Sequence, residues 1–208
     1  MLAGETCDRA GLILERARES GKTLSPTDAV CVRDALWIKI LLLNAARPGD
    51  LINLTCDELK SAQREGSHYI IQVLSHKTAH TYGPSNIVVT QEIYMDMIEY
   101  LKLRPAAKDD TPALFLSRNG KKTSTDLLLH VLRRDFPGPE PLKATLLRSH
   151  VVSYTHENKG PVEKFSLARK MNHSVQTAIS HYQTLTSPQE AVQGSLLVRE
   201  ALNLDVVE

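Results

Sequence analysis

The stretch Ala35-Leu-Trp-Ile-Lys-Ile-Leu-Leu-Leu43 is the longest apolar run in the chain and is interrupted only by Lys39. It falls well short of the ~20 residues that a membrane-spanning helix needs. A helix this apolar has no polar face to turn to water, so other elements must enclose it. At 208 residues and 42% hydrophobic content the chain can build that enclosure, and the composition excludes disorder, collagen-like repeats and coiled coil. The start of the helix is written just upstream. Ser25 supplies a capping hydroxyl, Pro26 suits the first helical position and Asp28 places an acid in the first turn. The helix is expected to run to about Asn44.

The surrounding pattern predicts a mostly helical α+β domain with a small antiparallel sheet. Residues 5–20 have helical composition, and Pro48 opens a short helix through Leu54. His68–Leu74 and Asn86–Thr90 are rich in β-formers and read as an antiparallel hairpin with a long polar tip. Cys56–Ala62 is a candidate third strand. Gln91–Leu103 returns to helical spacing, Leu114-Phe-Leu116 is a buried anchor, and helices are expected at 124–135, 142–157, 163–171, 175–185 and about 188–204. Three segments follow: an N-terminal helical segment 1–24, a main domain 25–186 and an amphipathic tail 187–208.

Cys7, Cys31 and Cys56 form neither a zinc pattern nor a disulfide framework, which points to a reducing compartment. No signal peptide is visible at the N-terminus. The formal net charge is +1, so any nucleic-acid surface must be local. Gly21-Lys22-Thr23 lacks the preceding glycine of a phosphate loop, and no His-Glu-x-x-His or Gly-x-Ser-x-Gly pattern is present. No cofactor or metal is therefore expected.

A different set of residues carries chemistry. Arg47 follows the apolar helix and stands three positions before Asp50. Lys77 lies in the hairpin tip, Arg148 on a later helix, His173 at a helix junction, and Tyr182 nine positions beyond it. In this order the chain resembles the catalytic domain of tyrosine recombinases (site-specific integrases). Ala46-Arg47-Pro-Gly-Asp50-Leu-Ile-Asn-Leu54 resembles the first arginine box, Ser75-His-Lys77-Thr78 the hairpin lysine, Thr145-Leu-Leu-Arg148 the His-x-x-Arg box, and Met171-Asn-His173-Ser174 with Tyr182 the closing box. The resemblance covers residues 28–185. The last box is most similar to eukaryotic recombinases of the Crypton transposon type.

The resemblance implies cleavage and rejoining of double-stranded DNA in recombination or transposition. Tyr182 would attack a phosphodiester and leave a 3′-phosphotyrosine. Arg47 and Arg148, planar and always charged, would clamp the non-bridging oxygens. Lys77 would protonate the departing 5′ oxygen, and His173 would assist. Thr145 stands where the family usually has histidine. It can donate a hydrogen bond but carries no proton at neutral pH. His150 faces elsewhere on the helix. His173 and Tyr182 would lie ~13.5 Å apart on one straight helix, so a bend between them is required.

The resemblance also implies a homo-oligomer on DNA, joined through the tail that carries Leu196, Leu197 and Leu204, and no membrane partner. It implies nuclear localisation, or cytoplasmic in a prokaryote. Family enzymes carry an N-terminal helical domain that closes a clamp on DNA, and without one the chain is expected to bind DNA weakly. Taken singly, each residue also has an ordinary role: Arg47 as a cation at a helix end, Lys77 as a solvated charge, Arg148 in a surface ion pair, His173 in a junction hydrogen bond, Tyr182 as a half-buried core residue. A catalytically inactive, domesticated recombinase fold that binds DNA or protein in a nuclear regulatory protein is the competing expectation.

Overall fold

Helix α2 (Pro26–Asn44) is enclosed from Val32 to Leu41, as its sequence requires, while Leu42 and Leu43 near its end are exposed. Val32, Leu36, Trp37, Ile38, Ile40 and Leu41 are each at most 2% exposed, and burial of side chains of this size stabilises by roughly 1.5–3 kcal/mol each. The computed structural model describes residues 2–75, 83–139 and 142–171. Ser25 caps α2 by accepting from the Asp28 amide, with Pro26 in the first turn. Helix α1 (Leu2–Ser20) lays Ala10, Leu14 and Ala17 into the same core.

The chain leaves α2 through Ala45, which adopts the left-handed region at φ 44°, ψ 41°. Among the described residues it is the only non-glycine with positive φ. Arg47 then caps the short helix α3 (Pro48–Asn53) with its backbone. Cys56–Ala62 is not a strand. It forms helix α4 (Cys56–Lys60), because Thr55 and Glu58 close a capping box: the Glu58 amide donates to Thr55 Oγ1 at 3.2 Å and the Thr55 amide donates to Glu58 Oε2 at 2.8 Å. Two orphan donors are satisfied reciprocally, which fixes the helix start. Glu58 Oε1 also accepts from the Leu74 amide at 2.8 Å.

The third strand comes later, as β1 (Gln63–Glu65). With β2 (His68–Val73) and β3 (Ser85–Thr90) it forms an antiparallel sheet in the order β1-β2-β3. Ile71 pairs with Ile87 and Val73 with Ser85, which sets the predicted hairpin in register. Ile71, Val73, Ile87 and Val89 turn one face to the core, the period-2 alternation of a half-buried sheet.

Helix α5 (Gln91–Leu103) starts at the Thr90 cap and buries Ile93, Met97 and Tyr100. Leu114, Phe115 and Leu116 are buried as expected, with the Leu114 amide donating to Leu54 O at 2.8 Å. Helix α6 (Thr125–Asp135) follows. An ionic network, buried at Arg33, Asp34 and Asp135 and exposed at Arg134, ties these parts together. Arg33 binds Asp34 and Leu116 O while its guanidinium lies 4.5 Å from the Trp37 ring centroid, and Arg134 of α6 bridges Asp34 and Asp135.

Helices α7 (Ala144–Asn158) and α8 (Pro161–Lys170) pack on each other. Gly160 and Pro161 start α8 two residues ahead of the predicted boundary, proline being well placed in a first turn. Val152 of α7 and Met171 meet Ala45 in a small second apolar cluster. That cluster brings the end of α8 against the end of α2. The expected helices at 175–185 and 188–204 lie outside the described residues. No helix among the described residues is long and apolar enough to cross a membrane.

Candidate functional site

The outer edge of β3 would expose unpaired backbone groups next to the end of α2. Asn44 closes it. Its Oδ1 accepts from the Val88 amide at 2.8 Å, and its Nδ2 donates to Val88 O at 2.8 Å and to Ile40 O at 3.0 Å. One buried amide side chain thus takes the place of a neighbouring strand. Lys170 closes the next position along that edge: its Nζ donates to Asn86 O and, at 3.0 Å, to Asn44 Oδ1.

These contacts form one wall of a narrow recess. Asn44, Ala46, Arg47, Asp50, Ser85, Asn86, Ile87, Arg148, Lys170 and Met171 line it. The recess is small, with a volume of about 10 Å³, close to the least that holds a single water-sized group. An anion of phosphate size would insert one oxygen and keep the rest of its bulk outside.

Arg148 is 5% exposed. Nη1 donates to Ala45 O at 2.8 Å and Nη2 to Met171 O at 3.1 Å. Two carbonyls on separate elements therefore fix the plane of the guanidinium. A buried cation is costly to hold without such partners, so the surface ion pair is not its role. Arg47 stands at the start of α3, half-buried, and makes no side-chain cap to that helix. Asp50 is 3% exposed, accepts from Ser85 Oγ at 2.8 Å through Oδ2, and leaves Oδ1 without a hydrogen-bond partner among the described residues.

Three cations and one carboxylate share this recess, so its balance is positive whether or not Lys170 holds its proton. Burial pushes the Lys170 pKa down to about 8; Asp50 opposes the shift and the neighbouring Arg148 adds to it. Such a site offers positive charge and fixed N–H donors to an anion.

The fold brings Arg47 and Arg148 from distant parts of the chain to one recess, which Asp50 also lines. It does not bring Thr145 in. Thr145 is exposed on α7 and does not line the recess, although Arg148 one turn later is buried. Positions i and i+3 differ by about 60° around a helix, enough to separate a recess-facing side chain from a solvent-facing one. His150 is exposed on the same helix. Lys77, His173 and Tyr182 lie outside the described residues. Asn44, Ser85 and Lys170 are site residues that sequence reasoning missed. A buried asparagine closing an apolar helix was the available signal for the first; a lysine in the last turn of a helix is too common to mark the third.

No family model matches the chain, and no curated protein does. Solved structures do. The crystal structure of XerA recombinase is similar at 20% identity and a TM-score of 0.53, over 91% of this chain and 61% of that one. The XerH site-specific recombinase bound to palindromic difH substrate, a post-cleavage complex, is similar at 14% identity and 0.58, over 96% and 51%. The Tn1549 transposon integrase in complex with transposon right end DNA is similar at 19% identity and 0.52, over 81% and 60%. The chain has the fold of these tyrosine recombinases and integrases, and it spans between half and three fifths of the length of those chains.

Proposed function

We propose that this chain is the catalytic domain of a tyrosine recombinase, which breaks and rejoins double-stranded DNA through a 3′-phosphotyrosine intermediate. The observation that carries the reading is the convergence of Arg47, Arg148 and Asp50 on one small recess. A phosphodiester seated there presents a non-bridging oxygen to two guanidiniums. In the transition state the extra charge on those oxygens is met by donors already in place.

The chemistry follows from that placement. The Tyr182 phenol loses its proton, aided by His173, and attacks phosphorus. The P–O5′ bond breaks, and Lys77 gives a proton to the leaving 5′ oxygen. The 3′ phosphate stays on Tyr182 until a 5′ hydroxyl attacks it, re-forming the P–O5′ bond and returning the phenol. No cofactor or metal enters this scheme. The fold likeness to recombinases that carry DNA supports the class. A Crypton-type source and nuclear location, and assembly on DNA through residues 187–208, belong to the same proposal.

Two observations favour a second reading, a recombinase fold retained as a DNA- or protein-binding module without chemistry. The net charge is only +1, and Thr145 replaces a proton-carrying residue and faces solvent. A nicked suicide duplex separates the two. Trapping of a covalent protein–DNA adduct that is lost in Tyr182→Phe supports the enzyme. An adduct that persists in Tyr182→Phe removes Tyr182 from the role. Salt-dependent DNA binding without an adduct on any substrate favours the binding module.

A further inference from the structure

Lys170 terminates α8 at the wall of the recess. An ammonium has three N–H donors. Asn44 Oδ1 and Asn86 O take two of them, and the third has no partner among the described residues. Among the described residues, the charged groups facing Lys170 are Asp50 and Arg47 from α3 and its cap, and Arg148 from α7. From α2 it meets the neutral Asn44, and from β3 the neutral Ser85 and Asn86. The two guanidiniums keep their charge at any ordinary pH. Lys170 is different, since burial holds its pKa near 8.

We propose that Lys170 is a further phosphate ligand, giving its third N–H to the non-bridging oxygen that Arg47 and Arg148 hold. This rests on the phosphodiester reading above. Binding then becomes coupled to a proton. Below pH 8 the free protein already carries the charge and affinity is full. Above pH 8 a proton must be taken up on binding, and affinity falls by up to about tenfold per pH unit.

The test is fluorescence anisotropy of the full chain on a short labelled duplex of random sequence, at fixed ionic strength, from about pH 6.5 to about pH 9.5. Circular dichroism melts check each variant. Wild type is expected to hold its affinity to about pH 7.5 and lose about tenfold by pH 9.5. Lys170→Gln is expected to bind about tenfold more weakly at pH 7 and to show no fall. Lys170→Arg is expected to keep the neutral-pH affinity and also show no fall, which carries the test should the glutamine variant unfold. Wild-type affinity and an unchanged pH profile in Lys170→Gln or Lys170→Arg, with binding weakened in Arg47→Gln, would overturn the role of Lys170 and leave the phosphodiester site standing. Binding that is absent in wild type or indifferent to Arg47→Gln would overturn the phosphodiester reading itself, and the Lys170 inference with it.

Discussion

Arg148 donates through Nη1 to the carbonyl of Ala45, 2.8 Å away, and Ala45 sits in the left-handed region at φ 44°. The two facts belong together. The left-handed turn ends α2 abruptly, and the carbonyl exposed there receives the buried guanidinium. The position of Arg148 is therefore tied to a backbone conformation far away in sequence.

Ala45→Val tests that link. A β-branched side chain strongly resists positive φ. The variant is expected to lose roughly 2–3 kcal/mol of stability and to weaken DNA binding by moving the carbonyl that holds Arg148. Chemical denaturation and anisotropy on the same preparation read both. Unchanged binding in a folded variant would separate the turn from the site.

Arg148→Lys keeps the charge and loses the plane. A lysine cannot reach two carbonyls on separate elements and an anion in one fixed geometry. Adduct formation on a suicide substrate is expected to fall by about 10²–10³-fold. Activity within a few-fold of wild type would show that charge alone suffices.

Asn44→Leu preserves size and removes the surrogate strand. The Val88 amide and carbonyl lose their partner together, at about 1–3 kcal/mol for each buried group left unsatisfied. A drop of about 3 kcal/mol in urea denaturation is expected, together with faster hydrogen exchange at Val88. An unaltered exchange rate at Val88 would mean that the strand edge is covered by something else.

Lys170 also makes stability depend on pH, and the sign is fixed by its pKa. The folded value, about 8, lies below the ordinary 10.5. Between those limits the unfolded chain holds a proton that the folded chain does not, so stability gains up to ~1.4 kcal/mol per pH unit through the window. Below pH 8 both states are protonated and the penalty for the buried charge is present in full. Burial raises the pKa values of Cys7, Cys31 and Tyr100, which lowers stability at high pH in both proteins compared. The difference between wild type and Lys170→Met, measured by denaturation across pH 7.5 to 10, is expected to shift toward wild type as pH rises. A flat difference would place Lys170 in water.

Local signals in the sequence carried the helices and the hairpin. Ser25-Pro26-x-Asp28 marks a helix start with side chains only a turn apart, and the alternation in His68–Val73 needs no distant partner to be read. Cys56–Ala62, a candidate third strand in sequence, is helical because the Thr55–Glu58 spacing closes a capping box, a local determinant of a helix start. The site was legible where charge stands out against its surroundings, as with Arg47 and Arg148. Asn44 and Lys170 were not legible, because their roles depend on Val88 and Asn86, groups that only the folded sheet edge supplies. Thr145 was paired with Arg148 by the resemblance to the His-x-x-Arg box; in the structure it is exposed, about 60° from Arg148 around α7.

Glu58 has a wider consequence than its capping box. One oxygen holds the first turn of α4 at Thr55, and the other holds the end of β2 at Leu74. Asn53 of α3 adds a second tether, from Nδ2 to Ser75 O at 2.9 Å. The stretch of chain that leads on toward Lys77 thus departs from the same mooring as the helices that follow Arg47. Cutting that mooring would set helix start and hairpin root adrift together, so in the proposed reaction the hairpin lysine would share its point of origin with Arg47.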